Sequence, residues 1–152
     1  MAGRRSLEPN RRKEILDAIQ TMLVDTPSLE LVNWEFYDSQ QNNNDGNVDP
    51  HAQILEVMKH AVVVLGPHGA NLWNAVFMPP GGLVMEFNTW QYEFTDQDCR
   101  TYGYSMANAA GHSFALVETE GFGYENRDLL PPVQDVVAIM EDFLRTKNLL
   151  KT

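Results

Sequence analysis

The sequence lacks features that several large classes of protein require. Cys99 is the only cysteine among 152 residues, which excludes an internal disulfide and a zinc site built from cysteines. No apolar run reaches the roughly 18 residues that span a bilayer, and the polar N-terminus lacks the apolar segment of a signal peptide. If the chain is complete, these absences predict a soluble cytoplasmic protein.

Positive charge is also scarce outside one short segment. The net charge of the chain is −10, which argues against bulk binding to nucleic acid. The N-terminal segment is the exception, with a single glutamate and five basic residues: Arg4, Arg5, Arg11, Arg12 and Lys13. A basic cluster on an acidic chain suits a small anionic ligand held locally, and a solvated start of a helix would produce the same pattern. We therefore predict no nucleic-acid partner and retain both interpretations of the cluster.

Apolar residues alternate along the chain between helical spacing and short strand-like runs. With 43% hydrophobic residues, the chain is long enough to form one domain over residues 1–152. The alternation predicts an α/β fold, with a mostly parallel sheet of about four strands and helices on both faces. We expect helices at 10–24, 51–60, 97–110 and 133–144, and strands at 29–37, 61–65, 83–87 and 112–117. The polar segment from Ser39 to Pro50 is expected to be a flexible loop.

The segment 61–88 has the layout of a ligand site. An apolar, β-branched run at 61–65 is closed by Gly66, and a short apolar helix is expected at 72–77. Between them lie Pro67, His68, Gly69, Ala70 and Asn71. Glu86 closes the next predicted strand at the same edge. Because ligands bind at the carboxyl edge of parallel strands and helix starts attract anions, the segment predicts a site for an anion such as a phosphate.

The sequence GPHGANLWNAVFMPPGGLVMEF resembles the signature of glycosyltransferase family 61. That signature has a strand, a His-Gly-Ala loop, an apolar helix, a Phe-Met-Pro turn and a strand ending in Glu. Agreement extends to the Arg-rich helix start, the helix HAQILEVMKHA, and later to Tyr102, Tyr104, Ala107 and Gly111. Asn71 stands where the family has a second glycine. The chain resembles only the carboxyl-terminal, donor-binding half of enzymes that pair two Rossmann-like domains in the GT-B arrangement.

The resemblance implies inverting transfer of a sugar from a uridine diphosphate (UDP) sugar to a glycan or glycoprotein acceptor. It implies that the donor diphosphate is bound by Arg4, Arg5, Arg12, His68, Gly69, Ala70 and Asn71, with Arg11 as an alternative arginine. Glu86 is expected to bind the ribose. No metal or other cofactor is expected, because helix amides and arginine would neutralise the diphosphate.

The same resemblance implies that part of the enzyme lies outside this chain. The catalytic base is expected to come from an amino-terminal domain or a partner chain, so no residue here is assigned that role. Relatives work in the lumen of the Golgi or endoplasmic reticulum behind an amino-terminal anchor. That location is expected only if this protein shares the family's architecture.

Other interpretations of the same residues stay open. The chain would also suit a non-catalytic module that binds a nucleotide or glycan, or an unrelated α/β enzyme in which His68 is an acid or base. The site residues have structural interpretations too. His68 would bond backbone carbonyls, Glu86 would pair with an arginine, and Asn71 would cap the short helix.

Overall fold

The computed structural model describes residues 6–32, 50–88, 102–119 and 128–150. These ranges contain five strands, four α-helices and one 3₁₀ helix, which lies in the segment 61–88. In chain order they are β1 (Ser6–Leu7), α1 (Pro9–Met22), α2 (Pro50–Met58), β2 (Val63–Pro67), the 3₁₀ helix (Ala70–Phe77), β3 (Leu83–Asn88), α3 (Tyr102–Ala109), β4 (Ser113–Glu118), β5 (Asp128–Leu129) and α4 (Val133–Thr146).

All strand pairs in the described ranges are parallel. Strands β2, β3 and β4 form a three-stranded sheet in that order, and β1 pairs separately with β5. The register sets Gly66 opposite Glu86, and Glu86 opposite Leu116. The predicted mixed α/β fold with parallel strands is therefore confirmed. A single sheet of about four strands is not seen in the described ranges, which hold a sheet of three strands and a separate pair.

Helices cover both faces of β3, which is why all six of its residues are buried. Leu83, Met85 and Phe87 pack with residues of α1 and α4, whereas Val84 packs with residues of α2, the 3₁₀ helix and α3. Successive side chains of a strand point to opposite faces, so these two groups define two cores. The first core includes Ile15, Ile19, Val136, Met140 and Leu144, and the second includes Met58, Leu72, Ala75, Met78 and Ala107.

Most predicted elements are confirmed to within a few residues, with clear exceptions at β2 and at 29–32. Gly66 does not end β2, because the strand continues through Pro67. Proline is compatible with that position because β2 lies at the edge of the described sheet. Proline has no backbone N–H to donate, and on the side of β2 that faces away from β3 no such donor is needed. Residues 29–32 form no regular structure where a strand was expected, and 33–37 lie outside the described ranges. Most of the expected loop from Ser39 and residues 97–101 of the helix expected at 97–110 also lie outside them, and Pro50 begins α2.

Local interactions explain where the helices begin and end. The Glu8 carboxylate accepts a hydrogen bond from the Arg11 backbone N–H at 2.7 Å, which satisfies a free amide at the start of α1. After α3, Gly111 adopts a φ of 77°, so glycine ends this helix as the sequence predicts. In the described part of the chain, no helix has the length and apolar character needed to cross a membrane.

Candidate functional site

His68 lies directly after β2 at the carboxyl edge of the three-stranded sheet. Its backbone N–H donates to the Phe87 carbonyl oxygen at 2.9 Å, which extends the pairing of β2 with β3 by one residue. The backbone of His68 is therefore held by the sheet, although the residue belongs to the connecting loop. Its side chain is 17% exposed, so the imidazole is largely enclosed yet retains some access to solvent.

Glu86 provides the partner of His68. Its Oε1 atom lies 2.6 Å from His68 Nδ1 and also accepts a hydrogen bond from Asn88 Nδ2 at 3.2 Å. The Glu86 side chain is only 2% exposed. When the Glu86 carboxylate is ionised it has acceptors and no donors, and His68 Nδ1 then donates in this pair. Nε2 is then the ring nitrogen left to contact a ligand, as a proton acceptor or, in the charged ring, as a donor.

Gly103 in α3 closes over the other oxygen of Glu86. A Cβ atom built at position 103 would overlap Glu86 Oε2 and would lie 3.0 Å from Phe114 Cε2. Tyr102 is the first residue of the described part of α3, so the carboxylate lies against the described start of this helix. The sequence pattern did not identify Gly103 as a residue of the site. The available signal was an isolated glycine inside a helical pattern, which is unfavourable for the helix unless packing or function requires it.

The loop after His68 leads directly into the 3₁₀ helix. Gly69 has extended backbone, with φ of 161°, and no side chain caps the helix start. A Cβ atom at Gly69 would meet nothing within 4 Å in the structure, so the described residues leave space beside the loop. Ala70 and Asn71 form the first residues of the helix, where backbone amides lack partners within the helix. The predicted short helix is therefore present, in the tighter 3₁₀ form.

The basic cluster is only partly described. Arg4 and Arg5 lie outside the described ranges, and Arg12 is half-buried in the first turn of α1. The Arg11 guanidinium donates to the Pro131 carbonyl oxygen at 2.9 Å and pairs with Glu14 at 2.9 Å, so it helps to fix α1. Helix α1 packs on the face of β3 opposite Glu86. The contribution of an arginine to a diphosphate site stays a prediction.

Further buried polar residues line the same carboxyl edge. Asn88 is 8% exposed, and Thr119 is 6% exposed. The Thr119 N–H donates to the Asn88 carbonyl oxygen at 2.9 Å, whereas Thr119 Oγ1 has no hydrogen-bond partner among the described residues. Buried polar side chains are costly unless they are bonded, so their concentration at the ends of apolar strands distinguishes this edge.

His112 is also buried, but it lies just before β4, at the opposite edge of the sheet from His68. Its Nε2 atom lies 3.0 Å from the Ala75 carbonyl oxygen, near the end of the 3₁₀ helix. This contact gives His112 a structural role, in contrast to His68, whose Nδ1 bonds a carboxylate. Within the described ranges there is no group of three or more His, Cys, Asp or Glu residues arranged to hold a metal ion.

The geometry therefore brings together some of the predicted site residues. His68 and Glu86 form a direct pair, and Gly69, Ala70 and Asn71 connect this pair to the start of the 3₁₀ helix. Comparison of the chain with protein-family models, with curated proteins and with solved structures found no match.

Proposed function

We propose that the chain is the donor-binding half of an inverting glycosyltransferase that uses a UDP-sugar. The observation that carries this proposal is the His68–Glu86 pair, held at 2.6 Å at the carboxyl edge of a parallel sheet. The half-exposed loop after it leads into a helix start, the kind of position where phosphate groups bind. A Rossmann-like domain of a GT-B enzyme would place its donor nucleotide at such an edge.

In this proposal, His68 and the helix start act on the leaving diphosphate. Negative charge builds on the diphosphate as its bond to the sugar breaks, so hydrogen-bond donors aimed there stabilise the transition state. Charged His68 would donate from Nε2 to a phosphate oxygen, while the amides that begin the 3₁₀ helix would bind further oxygens. Arg4, Arg5 or Arg12 would add bidentate contacts.

Glu86 is proposed to act mainly through His68. The carboxylate is nearly completely buried, and its Oε1 atom already bonds both His68 and Asn88. Holding Nδ1 fixes the ring orientation and leaves Nε2 for the ligand, as carboxylate partners do for histidines in other sites. The contact between Glu86 and the ribose stays a prediction.

The acceptor side of the reaction is proposed to lie outside this chain. A glycan or glycoprotein hydroxyl would need a base within hydrogen-bond reach, which an amino-terminal domain or partner chain would supply. Under the same proposal, the complete protein works in the Golgi or endoplasmic reticulum lumen and needs no metal. A non-catalytic nucleotide-binding module would also bind UDP, so binding alone does not separate it from this proposal. Sugar transfer by the complete protein would separate the two.

A thermal-shift titration with UDP, UDP-sugars and ADP tests the proposal. A ligand at a hundredfold its dissociation constant adds about 2.7 kcal/mol, and for a chain of this size each kcal/mol raises Tm by about 2–4 °C. We expect UDP and at least one UDP-sugar to raise Tm by several degrees and ADP to have much less effect. An equal response to UDP and ADP, or no response to any nucleotide, would contradict the proposal.

The variant His68→Asn locates the site without removing the partner of Glu86. An asparagine amide reaches roughly the position of Nδ1 and lacks any atom at Nε2, so the bond to Glu86 is retained while the ligand contact is lost. We expect a nearly unchanged Tm without ligand and a much smaller response to UDP. His60→Asn is the matched control, because the exposed His60 lies on the surface near Glu56. Its response to UDP should equal that of the wild type.

A further inference from the structure

We propose that Gly103 is a positioning residue, through which α3 sets the orientation of the His68 imidazole. That this orientation serves ligand binding rests on the proposed function. The coupling of Gly103 to His68 depends only on contacts within the fold. The three atoms that a Cβ at position 103 would approach most closely belong to Glu86 and Phe114, not to His68. The influence of Gly103 passes through the Glu86 carboxylate, which lies between α3 and the imidazole.

Glu86 is confined on several sides. His68 Nδ1 and Asn88 Nδ2 bond Oε1, and the backbone of Gly103 lies against Oε2. The side chain is 2% exposed, so its carboxylate has little free space into which it can move. Protein interiors are packed as densely as organic crystals, and one additional methyl group in such a place forces its neighbours to shift.

A methyl group at position 103 has no free space on the side toward Phe114 either. Its second neighbour would be the Phe114 ring, with Cε2 at 3.0 Å. That ring packs edge-on against Tyr104, with the two ring centroids 6.0 Å apart. Because Phe114 on β4 and Tyr104 on α3 are in contact, moving the ring outward disturbs the packing of α3 on the sheet. The displacement therefore falls on Glu86.

Displacing Glu86 removes the acceptor that fixes the protonated nitrogen of His68. Without this acceptor, the neutral imidazole carries its hydrogen on either nitrogen, and no hydrogen bond to Glu86 sets the orientation of the ring. Nε2 of the neutral ring then carries either a lone pair or an N–H, and in the charged ring, which would donate to phosphate, the Nε2–H bond points in a less defined direction. A glycine inside a helix normally weakens the helix, but here it leaves the space that the Glu86 carboxylate occupies.

The first test uses nitrogen NMR of the His68 ring in the wild type and in Gly103→Ala. In the wild type we expect Nδ1 to be the protonated nitrogen of the neutral ring, with a single set of signals. In Gly103→Ala we expect signals shifted toward a mixture of the two tautomers. The control is Ala107→Gly, which weakens the same helix at a buried position that packs near Val84. It should leave the His68 signals unchanged.

The second test is a double-mutant cycle that reads stability and remains informative if Gly103→Ala folds poorly. Alanine normally stabilises a helix relative to glycine, but here we expect Gly103→Ala to lower Tm. In a Glu86→Ala background the carboxylate is gone, so the same change at 103 should lower Tm by less than half as much. Equal losses in both backgrounds would overturn the proposed coupling.

Binding separates this inference from the proposed function. If both are right, Gly103→Ala weakens UDP binding by about tenfold, the value of one charge-assisted hydrogen bond. If the wild type binds no UDP but the His68 signals still respond to Gly103→Ala, the proposed function is wrong and the coupling is supported. Unchanged His68 signals in Gly103→Ala would overturn the inference, whatever the result for UDP.

Discussion

Removing the Glu86 carboxylate should cost far more stability than removing a surface carboxylate with a similar ion-pair distance. Glu86→Ala removes the acceptor of His68 Nδ1 and one hydrogen-bond partner of Asn88. A buried donor without a partner costs about 1–3 kcal/mol. His68 is 17% exposed, so water recovers part of its loss, and we expect a total of about 3 kcal/mol.

The variant Glu86→Gln shows how much of this loss of stability comes from the negative charge of Glu86. Glu86→Gln keeps the volume and an acceptor oxygen, so only the difference between a charged and a neutral hydrogen bond is lost, about 1 kcal/mol. For a chain of this length, each kcal/mol corresponds to about 2–4 °C in Tm. We therefore expect a decrease of about 6–12 °C for Glu86→Ala and about 2–4 °C for Glu86→Gln, measured by calorimetry at neutral pH.

The matched control is Glu141→Ala on α4. Glu141 pairs with Arg145 at 2.7 Å, nearly the His68–Glu86 distance, but its side chain is 39% exposed. Surface ion pairs contribute about 0.2–1 kcal/mol, so this variant should lose no more than a few degrees. If Glu86→Ala costs no more than Glu141→Ala, the reasoning that the buried carboxylate organises this edge of the sheet is refuted.

Two further predictions concern local features of the fold. The Arg11 backbone N–H holds the pKa of Glu8 below its ordinary value. This cap therefore stabilises the protein above the unfolded pKa, and its contribution disappears as pH falls through the lower folded pKa. Unfolding measured from pH 6 to pH 2 should show a shallower acid decline of stability for Glu8→Gln than for the wild type, and identical curves for the two proteins would contradict this role. Gly111→Ala places a side chain at φ of 77° and should cost about 1 kcal/mol or more in urea denaturation, whereas a gain in stability would show that this turn does not require glycine.

Much of the fold was predictable because long periodic segments determine it. The apolar spacing in α1 and α4 and the apolar run that opens β3 gave the correct element types, since these segments supply most of the first core. Strands β1 and β5 were not predicted. Each has only two residues, too few to show a period of two, and their pairing links segments more than a hundred residues apart.

The candidate site was predictable in position but not in its internal contacts. The pattern placed His68 and Glu86 at one edge of the sheet, because both follow or end parallel strands. It did not predict that Glu86 is buried and bonded to His68, since that depends on the approach of Gly103 from a helix that is distant in sequence. The contact of Glu86 with a ribose stays a prediction, for a carboxylate that is 2% exposed and lies against α3.

The most direct test of the central claim maps the UDP site on the chain by amide NMR. We predict that UDP changes the signals of His68, Gly69 and Leu72 first and most strongly, because these residues surround the start of the 3₁₀ helix. The same titration with His68→Asn should give much smaller changes. Saturating UDP that leaves these signals unchanged, or that acts mainly on α4, would contradict the account.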